Sequence, residues 1–259
     1  MTPSANWRKP YRDSASCAAA AAHHAWWAAL GAPVPTLHTV GPRELVFERV
    51  PGRHALPGDL PALAELLGRL HRGAYVAELH RARLDRPFRT ADGTVIPDFL
   101  HRRLDALDRL LHDREVPSTG LTFGQATGVI YAALDGPACL YKDSNPRNFL
   151  ISPSGPVLVD FDALTLAPAG YDLAKLLVTL VMTHGQLPTA PIREALTVYN
   201  SALTHPPCDL RPVRWADLMH WATFHHILTS PYQGRGGYRH RWTPYELEIA
   251  PSQEPGFPP

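Results

Sequence analysis

Apolar residues recur every three to four positions along most of the chain and alternate over only a few short runs, which predicts many helices and few strands. Residues 14–30, SASCAAAAAHHAWWAAL, read as an alanine-rich helix that Gly31 closes and that Pro33 and Pro35 forbid from continuing. PTLHTV and ELVFERV flank the turn GPR and read as a small hairpin ending at Val-Pro-Gly, 50–52. Asp59 is expected to cap a helix through LPALAELLGRLH, where Leu63, Leu66, Leu67 and Leu70 share a face. DFLHRRLDALDRLLHDR is a stronger helix, with Leu100, Leu104, Leu107 and Leu111 as its stripe. Glycines interrupt 118–136, and VIYAAL is expected to form its last helical turns.

The stretch LYKDSNPRNFLISPSGPVLVDFDAL, 140–164, differs from its surroundings. NFLI and VLVDF are strand-like, and SPSGP between them suits a reversal, so this is a second hairpin. Helices follow at YDLAKLLVTLVM, IREALTVYNSAL and VRWADLMHWATFHHIL, and no internal repeat is visible. The expected fold is α+β: residues 1–52 as a small lobe with a helix and a hairpin, then 53–250 as a larger, mainly helical lobe holding the second hairpin. The turn-rich tail, 251–259, is expected to be mobile.

Composition narrows the function classes. Lys plus Arg number 25 against 24 Asp plus Glu, a net charge of +1, so no global basic field argues for nucleic acid. Three scattered cysteines argue against a disulfide framework, and no apolar segment has the length of a membrane span. A cytoplasmic protein with neither membrane nor nucleic-acid partner is the expectation. The fourteen histidines form no HExxH, and the adjacent pairs at 23–24 and 225–226 point apart on a helix rather than toward one ion.

The chemistry concentrates in the second hairpin. Asn148 and Asp160 stand where its two strands meet the preceding loop, and two such oxygen donors suit Mg²⁺. Asp143, on that loop, would face a hydroxyl nucleophile. Taken singly, Asp143 and Asn148 also read as loop caps, Asp160 as a strand-end cap and Asp172 as a helix N-terminal residue.

YKDSNPRN, VLVDFD and GYDLA in this order resemble the catalytic segment of the aminoglycoside phosphotransferase and choline kinase-like family, a branch of the protein-kinase fold that shows HGDxxxxN, IDxx and DLA. The resemblance implies ATP and Mg²⁺ as cofactors and a hydroxyl-bearing small molecule or peptide as acceptor. It makes Asp143 the catalytic base, Asn148 and Asp160 the metal ligands, and Asp172 a brace for the loop. Tyr141 and Lys142 depart from the family's His and Gly; Lys142 reads as a phosphate contact, as a residue that holds the Asp143 loop, or as a solvated lysine, and Arg147 as a bidentate phosphate grip or as the partner of an acidic surface residue. Asp162 is a further carboxylate that a continuing strand would put in phase with Asp160.

Backward along the chain the resemblance extends through LGRLH, 67–71, to a hinge at Phe47, Glu48 and Val50, whose main chain would meet adenine. Lys9 stands near the place of the family's phosphate-binding lysine, although Pro10 is awkward in a strand. No glutamate precedes Glu44, and His23 or His24 falls nearest the position of that lysine's helix partner. The small lobe therefore reads as reduced. A compact active kinase, a chain whose nucleotide site a protein partner completes, and an inactive kinase-like protein binding a peptide or partner all stand. On the acceptor side, Tyr199, Trp221, His225, Tyr232 and the basic run GRGGYRHRW, 234–242, are candidates that read equally as core or surface.

Overall fold

The computed structural model describes residues 6–112, 121–162 and 164–246. The expected mobile tail, the end of the third helix at 113–114 and the glycine-interrupted start at 118–120 lie outside the described residues.

The small lobe is a three-stranded antiparallel sheet in the order β1-β3-β2, with β1 at Trp7–Pro10, β2 at Leu37–Val40 and β3 at Glu44–Phe47. β2 and β3 are the expected hairpin. β1 is an addition: Pro10 is tolerated because it ends an edge strand, where a missing N–H breaks no ladder. Helix α1, Ser14–Ala29, starts at Asp13, whose side chain accepts the Ser16 N–H at 2.7 Å. Its Cys17 and Ala20 join Leu45 and Phe47 in a small core, whereas Trp26 and Trp27 reach into the main one, so α1 ties the two together.

Past a two-residue strand, β4 at Arg53–His54, the main body begins with α2, Leu60–Ala77. Asp59 does not cap α2 with its side chain as expected. It takes both guanidinium nitrogens of Arg53, at 2.6 and 2.9 Å, and the Leu56 N–H, because the preceding 3₁₀ turn already supplies the helix entry. A short pair at Phe88–Arg89 and Val95–Ile96, β5 and β6, lies in a segment with no strand signal, too short for periodicity to show. Helices α3, Leu100–His112, and α4, Phe123–Ala133, follow. Strand β7, Ala138–Tyr141, pairs antiparallel with β10, Thr165–Pro168. Between them β8, Phe149–Ser152, and β9, Gly155–Leu158, form the second hairpin, with β4 on the outer edge of β8. Helices α5, Tyr171–His184, α6, Thr189–Leu203, and α7, Trp215–Thr229, complete the lobe.

Two glycines set the spacing of this lobe. A Cβ on Gly68 of α2 would strike the Tyr199 carbonyl of α6 and come within 2.9 Å of the Ala202 Cβ, so only glycine lets α2 and α6 approach so closely. Gly68→Ala is expected to cost about 1–3 kcal/mol through overpacking, measured as a lower urea midpoint with unchanged slope. Gly170 enters α5 at φ +81°, where a Cβ would also lie 2.8 Å from Val213 Cγ1.

Candidate active site

β7 is fully buried up to Leu140 and delivers the chain to Asp143, which takes the left-handed conformation at φ 64°. A non-glycine residue persists there only when its surroundings over-determine it. Here the buried carboxylate of Asp172, in the first turn of α5, accepts the N–H of Lys142 at 3.2 Å and of Ser144 at 2.9 Å, gripping the peptides on both sides of Asp143. Asn148 ends a 3₁₀ turn, Pro146–Asn148, capped by Asn145, and its Nδ2 donates to the Asp143 carbonyl at 2.8 Å. The Val159 N–H donates to the Asn148 carbonyl, which brings Asp160 to the same end of the hairpin. Strand β9 stops before Asp160, which is itself left-handed at φ 67°, so the expected strand phase linking Asp160 to Asp162 does not exist.

Burial raises the Asp172 carboxyl to about 6, against the opposing pull of Lys142 and the loop N–H donors. Its neighbour His71, at the end of LGRLH, is fully buried with Nε2 4.0 Å from Asp172 Oδ2, and burial lowers it to about 3. The pair is therefore not an ion pair at neutral pH; a neutral ring, bonded through Nδ1 to Tyr199 at 2.8 Å, lies beside the carboxylate. Because the folded-state value of His71 is depressed, the unfolded chain takes up the proton first, and stability is lost as pH falls from about 6.5 toward about 3. Asp172 acts in the opposite sense, favouring the folded state as pH falls below about 6. In melts between about pH 7 and about pH 5, His71→Gln should lose less stability on acidification than the parent; equal losses would remove His71 from the acid response.

Side chains converge on the Asp143 carboxylate. Tyr141, kept protonated by burial, donates to Oδ1 at 2.7 Å, and Lys175 from α5 lies 3.4 Å from the same oxygen. Lys142 is buried against the Phe149 ring, with Nζ 3.3 Å from the Asn148 and Val159 carbonyls, and burial lowers it to about 8. Of the readings the sequence allows, it takes the loop-holding one: it fastens the loop to the hairpin and is not a solvated lysine.

On the opposite side, Lys9 of β1 reaches Asp160 at 2.6 Å and Asp162 at 2.8 Å, and Tyr11 donates to Asp162 at 3.1 Å. Phe47 packs against Trp7 and His24. The Glu48 N–H is spent on the Thr36 carbonyl, whereas the Glu48 carbonyl and the Val50 N–H have no hydrogen-bond partner among the described residues. The hinge thus offers one acceptor and one donor on main chain. A depression of about 470 Å³ between Glu48, Val50 and the β8–β9 turn contains none of Lys9, Asp143, Asn148 or Asp160. Those residues gather instead where β1 meets the end of the second hairpin and the Asp143 loop.

Asn148 and Asp160 fit a hard divalent cation. The Asn148 amide nitrogen is occupied by Asp143, leaving Oδ1 without a hydrogen bond among the described residues, and the Asp160 carboxylate already attracts a cation. No group of three or more His, Cys, Asp or Glu suited to a metal occurs among the described residues, so phosphate and water oxygens would complete the shell.

The profile of the phosphotransferase enzyme family (APH) matches residues 7–205, from β1 to α6. The chain belongs to this family. Solved structures share the fold at low identity. An aminoglycoside phosphotransferase from Streptomyces rimosus is 16% identical over 89% of this chain and 88% of its own, with a TM-score of 0.56. A macrolide 2'-phosphotransferase from Brachybacterium faecium gives 14%, 90%, 81% and 0.55. A choline/ethanolamine kinase family protein from Mesorhizobium loti gives 18%, 86%, 70% and 0.55. No curated protein matches the sequence. The fold is thus the α+β kinase-like one, with a phosphotransferase-type role at the level of the superfamily.

Within this phosphotransferase-family chain, the neighbours of the loop have partners that the sequence alone does not show. Arg147 donates to the Gly236 carbonyl and lies over the Tyr238 ring, pinning the 234–242 run beside the Asp143 loop. Neither His23 nor His24 touches Lys9; they bond the Phe161 and Pro35 carbonyls. Tyr199, Trp221 and His225 are buried, and His225 braces Tyr171 and stacks on Tyr141, whereas Tyr232 is exposed. Sequence reasoning misses Lys175 altogether, although its place one turn into the helix after GYD, beside the loop that Asp172 grips, is a signal that spacing carries.

Proposed function

We propose that the protein transfers the γ-phosphoryl group of ATP, bound with Mg²⁺, to a hydroxyl of a small molecule such as a sugar or aminoglycoside, with a modified peptide as a further acceptor class. The observation that carries this reading is the conformation of Asp143, held left-handed by the Asp172 grip with its carboxylate turned to Tyr141 and Lys175. Such a fixed carboxylate suits a base that orients one hydroxyl, and preorganisation of this kind supplies most of the catalysis available to phosphoryl transfer.

In the reaction Asp143 accepts the acceptor's proton as that oxygen bonds to the γ-phosphorus, and the bond to the β–γ bridging oxygen breaks to release ADP. Asn148 and Asp160 would hold Mg²⁺, which when bound supplies positive charge to the β- and γ-phosphates. Lys9 supplies a second cation from the small lobe, and the free Glu48 carbonyl and Val50 N–H suit the adenine edge. Lys175 stands 3.4 Å from Asp143, so a hydroxyl flanked by neutral groups is a better acceptor than one beside an ammonium. That favours sugars over polycationic aminoglycosides.

A second reading has one observation behind it: α1 carries no carboxylate for Lys9. An inactive kinase-like protein that binds a peptide or a protein partner would need none. Calorimetry of ATP with and without Mg²⁺ tests the first reading. Mg²⁺-dependent binding supports it; no binding in either condition moves the assignment to the second.

A further inference from the structure

We infer that Asp162 is the positioning residue that takes the place of a helix carboxylate, holding Lys9 for the nucleotide phosphates. A lysine that is to meet phosphate must be held by a carboxylate that is not itself a metal ligand, or it is lost to its anchor when the metal binds. Helix α1 cannot provide that anchor, since Ser14–Ala29 contains no Asp or Glu. The carboxylate instead comes from the segment beneath it. Lys9 lies between Asp160 at 2.6 Å and Asp162 at 2.8 Å, with its side chain only 17% exposed. Of these two acids Asp160, next to the Val159 N–H that bonds the Asn148 carbonyl, is the proposed partner of Asn148 on Mg²⁺, which leaves Asp162 to keep the lysine when Asp160 turns to a cation.

Asp162 is itself fixed from the small lobe. Tyr11, two residues after Lys9, donates to Asp162 Oδ1 at 3.1 Å, and burial together with Asp162 pushes its hydroxyl well up, so it stays a donor. Helix α1 acts one step further back: His23 Nδ1 is 3.1 Å from the Phe161 carbonyl, and the His24 ring meets the Phe161 ring edge-on at 5.1 Å. The helix therefore positions Lys9 through residues 161–162 rather than by direct contact. Displacement of α1 would move the lysine anchor with it.

The inference rests on the proposed Mg²⁺–ATP site, and two readouts on the full chain separate their failures. The first needs no nucleotide: the rate at which an amine-acylating reagent modifies Lys9, followed by mass spectrometry. Asp162→Asn should speed that modification, and Asp162→Glu should restore protection; an unchanged rate in Asp162→Asn overturns the clamp. The second is affinity for the non-hydrolysable analogue AMP-PNP with Mg²⁺. Asp162→Asn and Lys9→Met should each weaken it about tenfold, the size of one charge-assisted hydrogen bond, with the double variant no worse than the poorer single one. Additive losses would show Asp162 acting independently of Lys9 and sink the inference. Wild-type chain that binds no AMP-PNP overturns the functional reading, and the phosphate role of Asp162 with it, whatever the acylation shows.

Discussion

Asp143→Asn should abolish most phosphoryl transfer while leaving Mg²⁺–ATP binding close to the parent. The substitution preserves size, and its amide oxygen can still accept the Tyr141 hydroxyl that now bonds Asp143 Oδ1 at 2.7 Å. The Asp172 grip acts on the Lys142 and Ser144 backbones and does not depend on the side chain between them. What the amide cannot do is take the acceptor's proton, and loss of a positioned base lowers turnover by about 10²- to 10⁴-fold. Transfer of label from γ-labelled ATP to a panel of sugars and aminoglycosides measures the change, with a melting curve to show that the fold survives. Parent-like transfer by the variant would remove Asp143 from the mechanism.

Asp160→Asn should act on binding instead. The parent carboxylate offers negative charge to a cation, which Lys9 answers at 2.6 Å. With the amide, the Mg²⁺-dependent part of ATP affinity should fall by at least about tenfold, the lower range for losing even an outer partner of a bound metal. Without Mg²⁺ the sign reverses: one negative charge facing the phosphates is gone and Lys9 has one competitor fewer, so the variant should bind ATP as well as the parent or better. Calorimetry in both conditions reads the two effects. An equal loss with and without Mg²⁺ would indicate damage to the cleft rather than to a metal ligand.

Both residues are legible in the amino-acid sequence because their signal is local. Asp143, Asn148 and Asp160 fall within eighteen residues, and a reversal at Pro153 and Ser154 folds Phe149–Ser152 onto Gly155–Leu158. The same holds for α1, α2, α5, α6 and α7, whose stripes or apolar runs repeat at helical spacing. Strands β5 and β6 are not legible, since two residues show no period. β1 is obscured by Pro10, whose meaning changes once the strand is known to lie at an edge.

The chain's own order of residues determined most of the helices, the β2–β3 and β8–β9 hairpins and the loop that bears the candidate base. Tertiary structure alone decided which charges meet. Lys9 reaches Asp160 across 151 positions, Arg147 reaches Gly236 across 89, and Asp172 grips a loop 28 to 30 residues earlier. It also turned Lys142 inward, where a solvated lysine is an equal reading of the sequence. Periodicity reports only whether a side chain faces the core or water, because it reflects neighbours within one turn or one strand. Partner choice for a long charged side chain depends on where remote backbone comes to rest, and that is set by the packing of the lobes as a whole.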